Sequence, residues 1–276
     1  MKQINTEILT PDITGEGRII NFLHSANAGD LIYSLPGIRA ACRRFDARAR
    51  IMCGLDQPAI YEMGPHPLGG VMFDRNTFSM TRPLIMRQDY IYDMEIWEGE
   101  REVHYNIDQI RDSPDALGMP HTEIRQWCMM LFPEMAGSIS EPWIESLVPP
   151  ERPPAYIVLN ITQRYRTVQV NYKFLEDIGV PVLFIGTQDE YNLIIKQCRT
   201  ARWHKTKTYL EVAKVISGSR LFIGNQSSCF AVAEGMGHPR LLEICHAATN
   251  VTPATPHGTP FVDQKALEWL VNEAIK

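Results

Sequence analysis

Apolar and polar positions along this chain recur with two different periods. From Ile19 to Leu23 a short apolar run reads as a strand, and a small polar loop follows from His24 to Gly29. Beyond it, Leu31, Ile32, Leu35, Ile38 and Ala41 recur at helical spacing, with Arg39, Arg43 and Arg44 on the other side. The same strand, turn and helix pattern returns late in the chain. Leu221 to Ile223 is apolar, Gly224 to Ser228 is small and polar, and Phe230, Ala231, Ala233 and Met236 then fall at helical spacing. Between the two lie further segments of the same kind. A strand is predicted from Ala155 to Asn160 and a helix from Val170 to Ile178. A strand from Val180 to Ile185, a helix from Glu190 to Cys198 and a helix from Tyr209 to Ile216 follow. The chain closes on an amphipathic helix from Gln264 to Ile275. Strands alternating with helices imply a parallel sheet in an α/β fold.

The segment 149–154 interrupts this pattern. It holds four prolines in six residues, which neither a helix nor a central strand accepts. It divides the chain into a domain at 1–148 and another at 155–276. With 276 residues, 45% of them hydrophobic and 21% charged, the chain is long enough and apolar enough for two globular domains. No apolar run approaches the ~18 residues needed to span a bilayer. The N-terminus lacks the apolar core of a signal peptide. Six cysteines occur without CxxC or zinc spacing, several of them in apolar runs, and read as reduced core residues of a cytoplasmic protein.

In open α/β sheets, ligands bind beyond the carboxyl ends of the strands. Asp30 falls just there, either as a helix cap or as a general base. Ser227 and Ser228 lie at a helix start, where unpaired N–H groups suit a phosphate, and they either cap the helix or bond a ligand. The loop from Asn160 to Thr167 carries Arg164 and Arg166, whose planar forks suit phosphate oxygens, although two solvated arginines flanking Tyr165 account for the spacing equally well. Glu190 reads as a favourable first-turn charge or a ribose ligand. Glu234 falls within an apolar pattern, so its burial would demand a partner. Glu243 lies near the same edge. Among the histidines, His24 stands at the end of the first strand, while His121 and His246 are weaker candidates. No HExxH, Asp-x-Asp, P-loop or GxGxxG motif occurs, which counts against a zinc enzyme, a metal-dependent nucleotide-sugar transferase, a kinase and a dehydrogenase.

The pairing of Gly29-Asp30-Leu31-Ile32-Tyr33-Ser34-Leu35-Pro36 with a late Gly224-Asn225-Gln226-Ser227 resembles the heptosyltransferase-like glycosyltransferases of family 9, which have the GT-B architecture. That resemblance implies two Rossmann-like lobes with parallel sheets facing a central cleft, the first on the acceptor side and the second binding a nucleotide sugar. In such proteins the final helix often packs back on the first lobe. The resemblance makes Asp30 the catalytic base. It gives donor binding to Gly224, Asn225, Gln226, Ser227 and Ser228, and places a basic residue, Arg164 or Arg166, against the donor diphosphate. Asn160, Gln163, Gly186, Glu190 and Glu234 are counted with the donor side from their own positions near the strand ends. His24, Ser25, Asn27 and Gly29 fall on the acceptor side. Gln226 stands where the family has an acidic residue, and heptose therefore does not follow from the motif. The implied activity is metal-independent transfer from a nucleoside-diphosphate sugar, a co-substrate rather than a cofactor, to a glycan or lipid-linked hydroxyl.

Three alternatives are a glycosyltransferase acting on a modified DNA base, a non-catalytic nucleotide-sugar-binding scaffold and a nucleotide-sugar epimerase, which would process a donor without any acceptor. A net charge of −5 argues against broad phosphate contacts. The basic run Arg39, Arg43, Arg44, Arg48 and Arg50 blunts that argument, though its spacing also suits one solvated helix face.

Overall fold

The computed structural model describes residues 18–59, 69–112, 123–145 and 156–276. The chain divides into two compact units, Met1–Ile139 and Ser140–Lys276. The proline-rich segment 149–154 lies outside the described residues. Residues 140–145 already belong to the second unit, where Trp143 and Ile144 donate their backbone N–H groups to the Gly235 carbonyl at 2.7 and 2.9 Å.

The first unit runs β1 (Ile19–His24), α1 (Ala28–Phe45), β2 (Arg48–Cys53), α2 (Arg75–Ile85), β3 (Ile91–Ile96), β4 (Tyr105–Asn106), a 3-10 turn at Ile107–Asp112, α3 (Ile124–Leu131) and a second 3-10 turn at Pro133–Ser138. Its strands pair in the order β3-β2-β1-β4, all parallel. Helix α1 begins earlier than its apolar pattern predicts. Gly29 is helical, because Asn27 takes the cap position and the Asp30 carboxylate accepts the Asn27 N–H at 3.2 Å. The helix buries Leu31, Ile32, Leu35, Ile38 and Ala41. A Cβ on Gly37 would lie 2.3 Å from the Phe132 ring, so this glycine permits the close approach of α1 to the end of α3. Arg48 and Arg50 lie on β2, not on the helix with Arg39, Arg43 and Arg44.

The second unit runs β5 (Ile157–Asn160), a 3-10 turn at Lys173–Glu176, β6 (Val182–Phe184), α4 (Gln188–Ile194), β7 (Arg202–Trp203), α5 (Tyr209–Ser217), β8 (Leu221–Asn225), α6 (Ser228–Gly235), β9 (Arg240–Glu243), β10 (Gly258–Phe261) and α7 (Gln264–Ile275). The order is β10-β9-β8-β5-β6-β7, again all parallel. Every residue of β5, β8 and β9 is buried, as expected of strands covered on both faces. The buried side of α7, Leu267 and Val271, packs into this unit's own core with Ile157, Leu159, Phe184 and Ile223.

One further expectation differs from what is found. The helix expected over 170–178 is a single 3-10 turn, because the segment's polar groups are committed elsewhere. Thr167 and Tyr172 donate to Glu243, and the Asn171 N–H donates to Gln264. The strands β7, β9 and β10 leave no clear apolar run. β9 carries a charge at each end, and β10 holds Pro260, which a parallel sheet accepts only at its edge.

Candidate functional site

In the second unit the chain proceeds from β5 to β6 and β7 on one side, then crosses to β8, β9 and β10 on the other. The carboxyl ends of β5 and β8 therefore flank a topological switch point, where ligands bind in such sheets. Asn225 closes β8 and is fully buried. Its Oδ1 accepts the Thr162 N–H at 2.9 Å, and its Nδ2 donates to the carbonyls of Thr162 at 3.0 Å and Arg164 at 2.7 Å. This side chain thereby shapes the loop after β5. Tyr165 takes a left-handed conformation there (φ 57°), and the Arg164 guanidinium lies over its ring at 5.1 Å. Gln163 is exposed beside it.

Ser227 caps α6, accepting the Phe230 N–H at 3.1 Å and donating to Asn160 at 2.7 Å. Asn160 in turn donates to the Ile185 carbonyl at 2.7 Å. Asn160 and Ser227 are thus ties between β5, β6 and α6. Gly224 allows β8 to approach β5, since a Cβ there would meet the Phe222 ring at 2.6 Å and the Asn160 carbonyl at 3.2 Å. Two half-buried groups stand at the start of α6: Gln226, which donates to Asn250 at 2.7 Å, and Ser228, which shares a hydrogen bond with Tyr209 at 2.6 Å. Asn250 carries no motif and was not anticipated.

Three expected donor residues have other partners. Arg166 donates through Nε to the fully buried Glu243 at 3.0 Å, and Thr167 N–H and the Tyr172 hydroxyl converge on the same carboxylate. Burial and the neighbouring Glu243 charge push the Tyr172 hydroxyl well above its ordinary range. Glu190 closes a capping box with Thr187, whose N–H it accepts at 2.9 Å, and Gly186 (φ +145°) makes room for that carboxylate. Glu234 sits away from the crevice. It is wholly buried against Arg240 and accepts the N–H groups of Ala254 and Thr255, each at 2.9 Å.

The first unit has a switch point of its own between β1 and β4, because β2 and β3 lie on one side of β1 and β4 on the other. Asp30 is buried there. Arg111, from the turn after β4, grips both of its oxygens, with Nη2 2.7 Å from Oδ1 and Nε 3.1 Å from Oδ2. Sequence pattern gave no sign of Arg111, which lies 81 residues from its partner. The Asp108 carboxylate faces the same loop. It accepts Ser25 N–H at 2.9 Å and Ala26 N–H at 3.1 Å, and the Ser25 hydroxyl donates to it as well. Behind it His24 is completely buried, with its Nδ1 3.7 Å from Asp108 and its ring edge-on to Phe73. Burial holds the imidazole below its ordinary pKa, while the charges of Asp108 and Asp30 oppose that shift. Of the expected acceptor residues, His24, Ser25 and Asn27 gather here, and Gly29 belongs to the first turn of α1.

Burial pushes the Cys42, Cys128 and Cys229 thiols up to about 12, so none supplies a thiolate near neutrality. His246 is exposed, and His121 lies outside the described residues. Arg44 pairs with Glu134, and Arg48 and Arg50 stack on Tyr92, so these cations do not form one free surface. Among the described residues, no group of three or more His, Cys, Asp or Glu is placed to hold a metal ion. No helix among them is long and apolar enough to cross a membrane.

No family model matches the sequence, and no curated protein does. The fold, in contrast, is similar to solved glycosyltransferase structures. It matches the E. coli ADP-heptose lps heptosyltransferase II at 14% identity and a TM-score of 0.59, over 93% of this chain and 98% of that one. It matches E. coli heptosyltransferase WaaC with ADP at 9% identity and 0.61, over 93% and 99%. A glycosyl transferase family 9 protein from Veillonella parvula DSM 2008 matches at 10% and 0.54, over 93% and 88%. At these identities the likeness shows the fold, which is the heptosyltransferase-like GT-B architecture of two Rossmann-like parallel sheets.

Proposed function

We propose that the protein is a nucleotide-sugar-dependent glycosyltransferase. It moves a hexosyl or heptosyl group to an acceptor hydroxyl, with a glycan or a lipid-linked core as the acceptor class, and it needs no metal ion. The observation that carries this reading is the second unit's switch point, where Asn225 holds the Arg164 loop beside the start of α6. Arg164 and the first N–H groups of α6 supply positive charge for a diphosphate. Gln226 with Asn250, and Ser228 with Tyr209, supply neutral polar groups suited to ribose or sugar hydroxyls. One protein of similar fold was solved with ADP, which favours a nucleoside diphosphate as the occupant.

The first unit supplies the acceptor-side chemistry. A hydroxyl attacking an anomeric carbon must lose its proton, and Asp30 and Asp108 are the carboxylates beside the β1 loop that could receive it. The departing diphosphate keeps the electron pair of the broken bond, and Arg164 stabilises its charge.

The test is thermal unfolding with ADP, UDP, GDP and their sugars, with and without a chelator. A ligand present at 100 times its dissociation constant should add about 2.7 kcal/mol of stability. Stabilisation by one nucleotide class, undiminished by the chelator, is expected. If none of these ligands stabilises the chain, the reading fails. The engagement of both Asp30 oxygens by Arg111 favours a second reading, a scaffold that binds the donor without turnover. Binding with no nucleoside diphosphate released from its sugar would establish that one.

A further inference from the structure

Resting on that reading of the donor site, we infer that Glu243 is a positioning residue, which aims Arg166 at the diphosphate without itself touching the donor. Glu243 closes β9 as Asn225 closes β8, and the two stand opposite each other in the parallel register. Both are buried, and both commit their side chains to the loop after β5. Asn225 bonds that loop at Thr162 and Arg164, and Glu243 bonds it from Arg166 onward. Three donors converge on the Glu243 carboxylate: Arg166 Nε at 3.0 Å, the Thr167 N–H at 2.6 Å and the Tyr172 hydroxyl at 2.5 Å.

This arrangement grips Arg166 by its inner end. Nε is committed to Glu243, and the guanidinium carbon lies 5.5 Å from the centre of the Tyr172 ring. Among the described residues, the terminal nitrogens make only one long contact, from Nη2 to the Val170 carbonyl at 3.4 Å. The side chain is 24% exposed, whereas Glu243 is wholly buried on an interior strand. A guanidinium is a rigid planar fork, so fixing Nε fixes the plane of the remaining donors. Burying a carboxylate is costly, and one held by the sheet cannot follow a wandering side chain. The fork it holds is therefore preorganised and loses little freedom on meeting a phosphate. Because its charge is shared with Glu243, Arg166 adds a second and weaker cation to the loop that carries Arg164.

The experiment titrates the full chain with ADP, UDP and GDP by calorimetry, takes the tightest binder through a set of variants, and measures the stability of each variant in urea. Glu243→Gln keeps an oxygen for the Thr167 N–H and the Tyr172 hydroxyl but gives up the charge that holds Nε. It should weaken binding about fivefold, the worth of one ordinary hydrogen bond. Arg166→Lys keeps a charge beside Glu243 but has no fork to aim. It should stay close to wild type in stability and also lose about fivefold in affinity. The double variant should bind within about twofold of either single one, because both changes remove the same interaction. Tyr172→Phe keeps the ring beside Arg166, so it should lower stability and leave affinity unchanged. Losses that multiply to about 25-fold in the double variant would overturn the assignment, since they report independent effects. So would Arg166→Lys binding as tightly as wild type, a result that stands even if Glu243→Gln does not fold. Affinity that follows stability across all the variants, Tyr172→Phe included, would make Glu243 merely structural. If none of the three nucleotides binds the wild type, the donor reading fails and the inference falls with it. If one binds and the two changes prove independent, only the inference falls.

Discussion

Asn225, the last residue of β8, hydrogen-bonds both backbone groups of Thr162, the second residue beyond β5, and thereby fixes the loop that carries Arg164. Replacing it with Ala would leave the Thr162 N–H and the carbonyls of Thr162 and Arg164 without that partner. Each unsatisfied buried group costs about 1–3 kcal/mol, and water entering the gap would recover part of the loss. Asn225→Ala is therefore expected to lower stability by about 3 kcal/mol and to weaken ADP binding. Asn225→Asp should do both as well, since its charge would face those carbonyl oxygens. Urea unfolding and calorimetric titration with ADP check both effects, and unchanged ADP affinity would show that the loop is not a donor site.

Arg164 and Arg166 should respond differently, although they are two residues apart. Arg164→Ala removes a cation from the crevice, and a lost charge-assisted hydrogen bond of about 1.5–3 kcal/mol corresponds to roughly 10–100-fold weaker ADP binding. Arg166→Ala strips the buried Glu243 of its cation and should lower stability by about 2–3 kcal/mol. Its effect on ADP affinity should be smaller than that of Arg164→Ala. The reverse order of affinities would exchange the two roles.

Removing one member of the Glu234–Arg240 pair should be among the costliest changes in the second unit. Both side chains are wholly inaccessible to solvent, and Arg240 also donates to the carbonyls of His238, Thr255 and Pro256. Arg240→Ala is expected to cost about 3–5 kcal/mol, the usual penalty for leaving a buried charge without its partner. A loss below about 1 kcal/mol in chemical denaturation would contradict this account.

Stability should also fall in mild acid. Burial, reinforced by the charges of Arg240 and His257, holds the His238 pKa down to about 4 from an ordinary 6.5. Between those values the unfolded chain binds a proton that the folded chain does not, so stability drops as pH falls from about 6.5 towards 4. Burial shifts His24 in the same direction and adds to the effect. His238→Gln can keep the hydrogen bond to Ser219, made at 2.9 Å, while removing the titration. The unfolding free energy of this variant, from urea titration, should vary less between pH 7.5 and 4.5 than that of wild type, by on the order of 2 kcal/mol. Parallel profiles would assign the acid sensitivity to other groups.

The apolar periods of the sequence were enough to place β1, α1, β5, β8, α6 and α7 within a few residues, because each buries a continuous stripe or run. They missed β9 and misread 170–178 as a helix for one shared reason. Arg240 and Glu243 are buried charges whose partners come from distant parts of the chain, and Thr167 and Tyr172 are among those partners. A local pattern registers such residues as loop or as helix surface, whereas in the fold they are core.

The site divides along the same line. Short-range chemistry made the two glycine turns legible, since a strand that ends in small polar residues before a helix leaves the same pattern wherever it occurs. The motif also pointed to Asp30, Asn225 and Ser227. What each of these side chains bonds depended on groups that the sheets bring in from 63 to 81 residues away, Arg111 for the first unit and Thr162 and Asn160 for the second. Sequence determined where the strands end and which residues stand there, because backbone propensity and apolar spacing act over a few residues. Only the parallel register of the sheets decided which groups meet Asp30, Asp108 and Arg166, because hydrogen bonds and ion pairs are settled by distance in space.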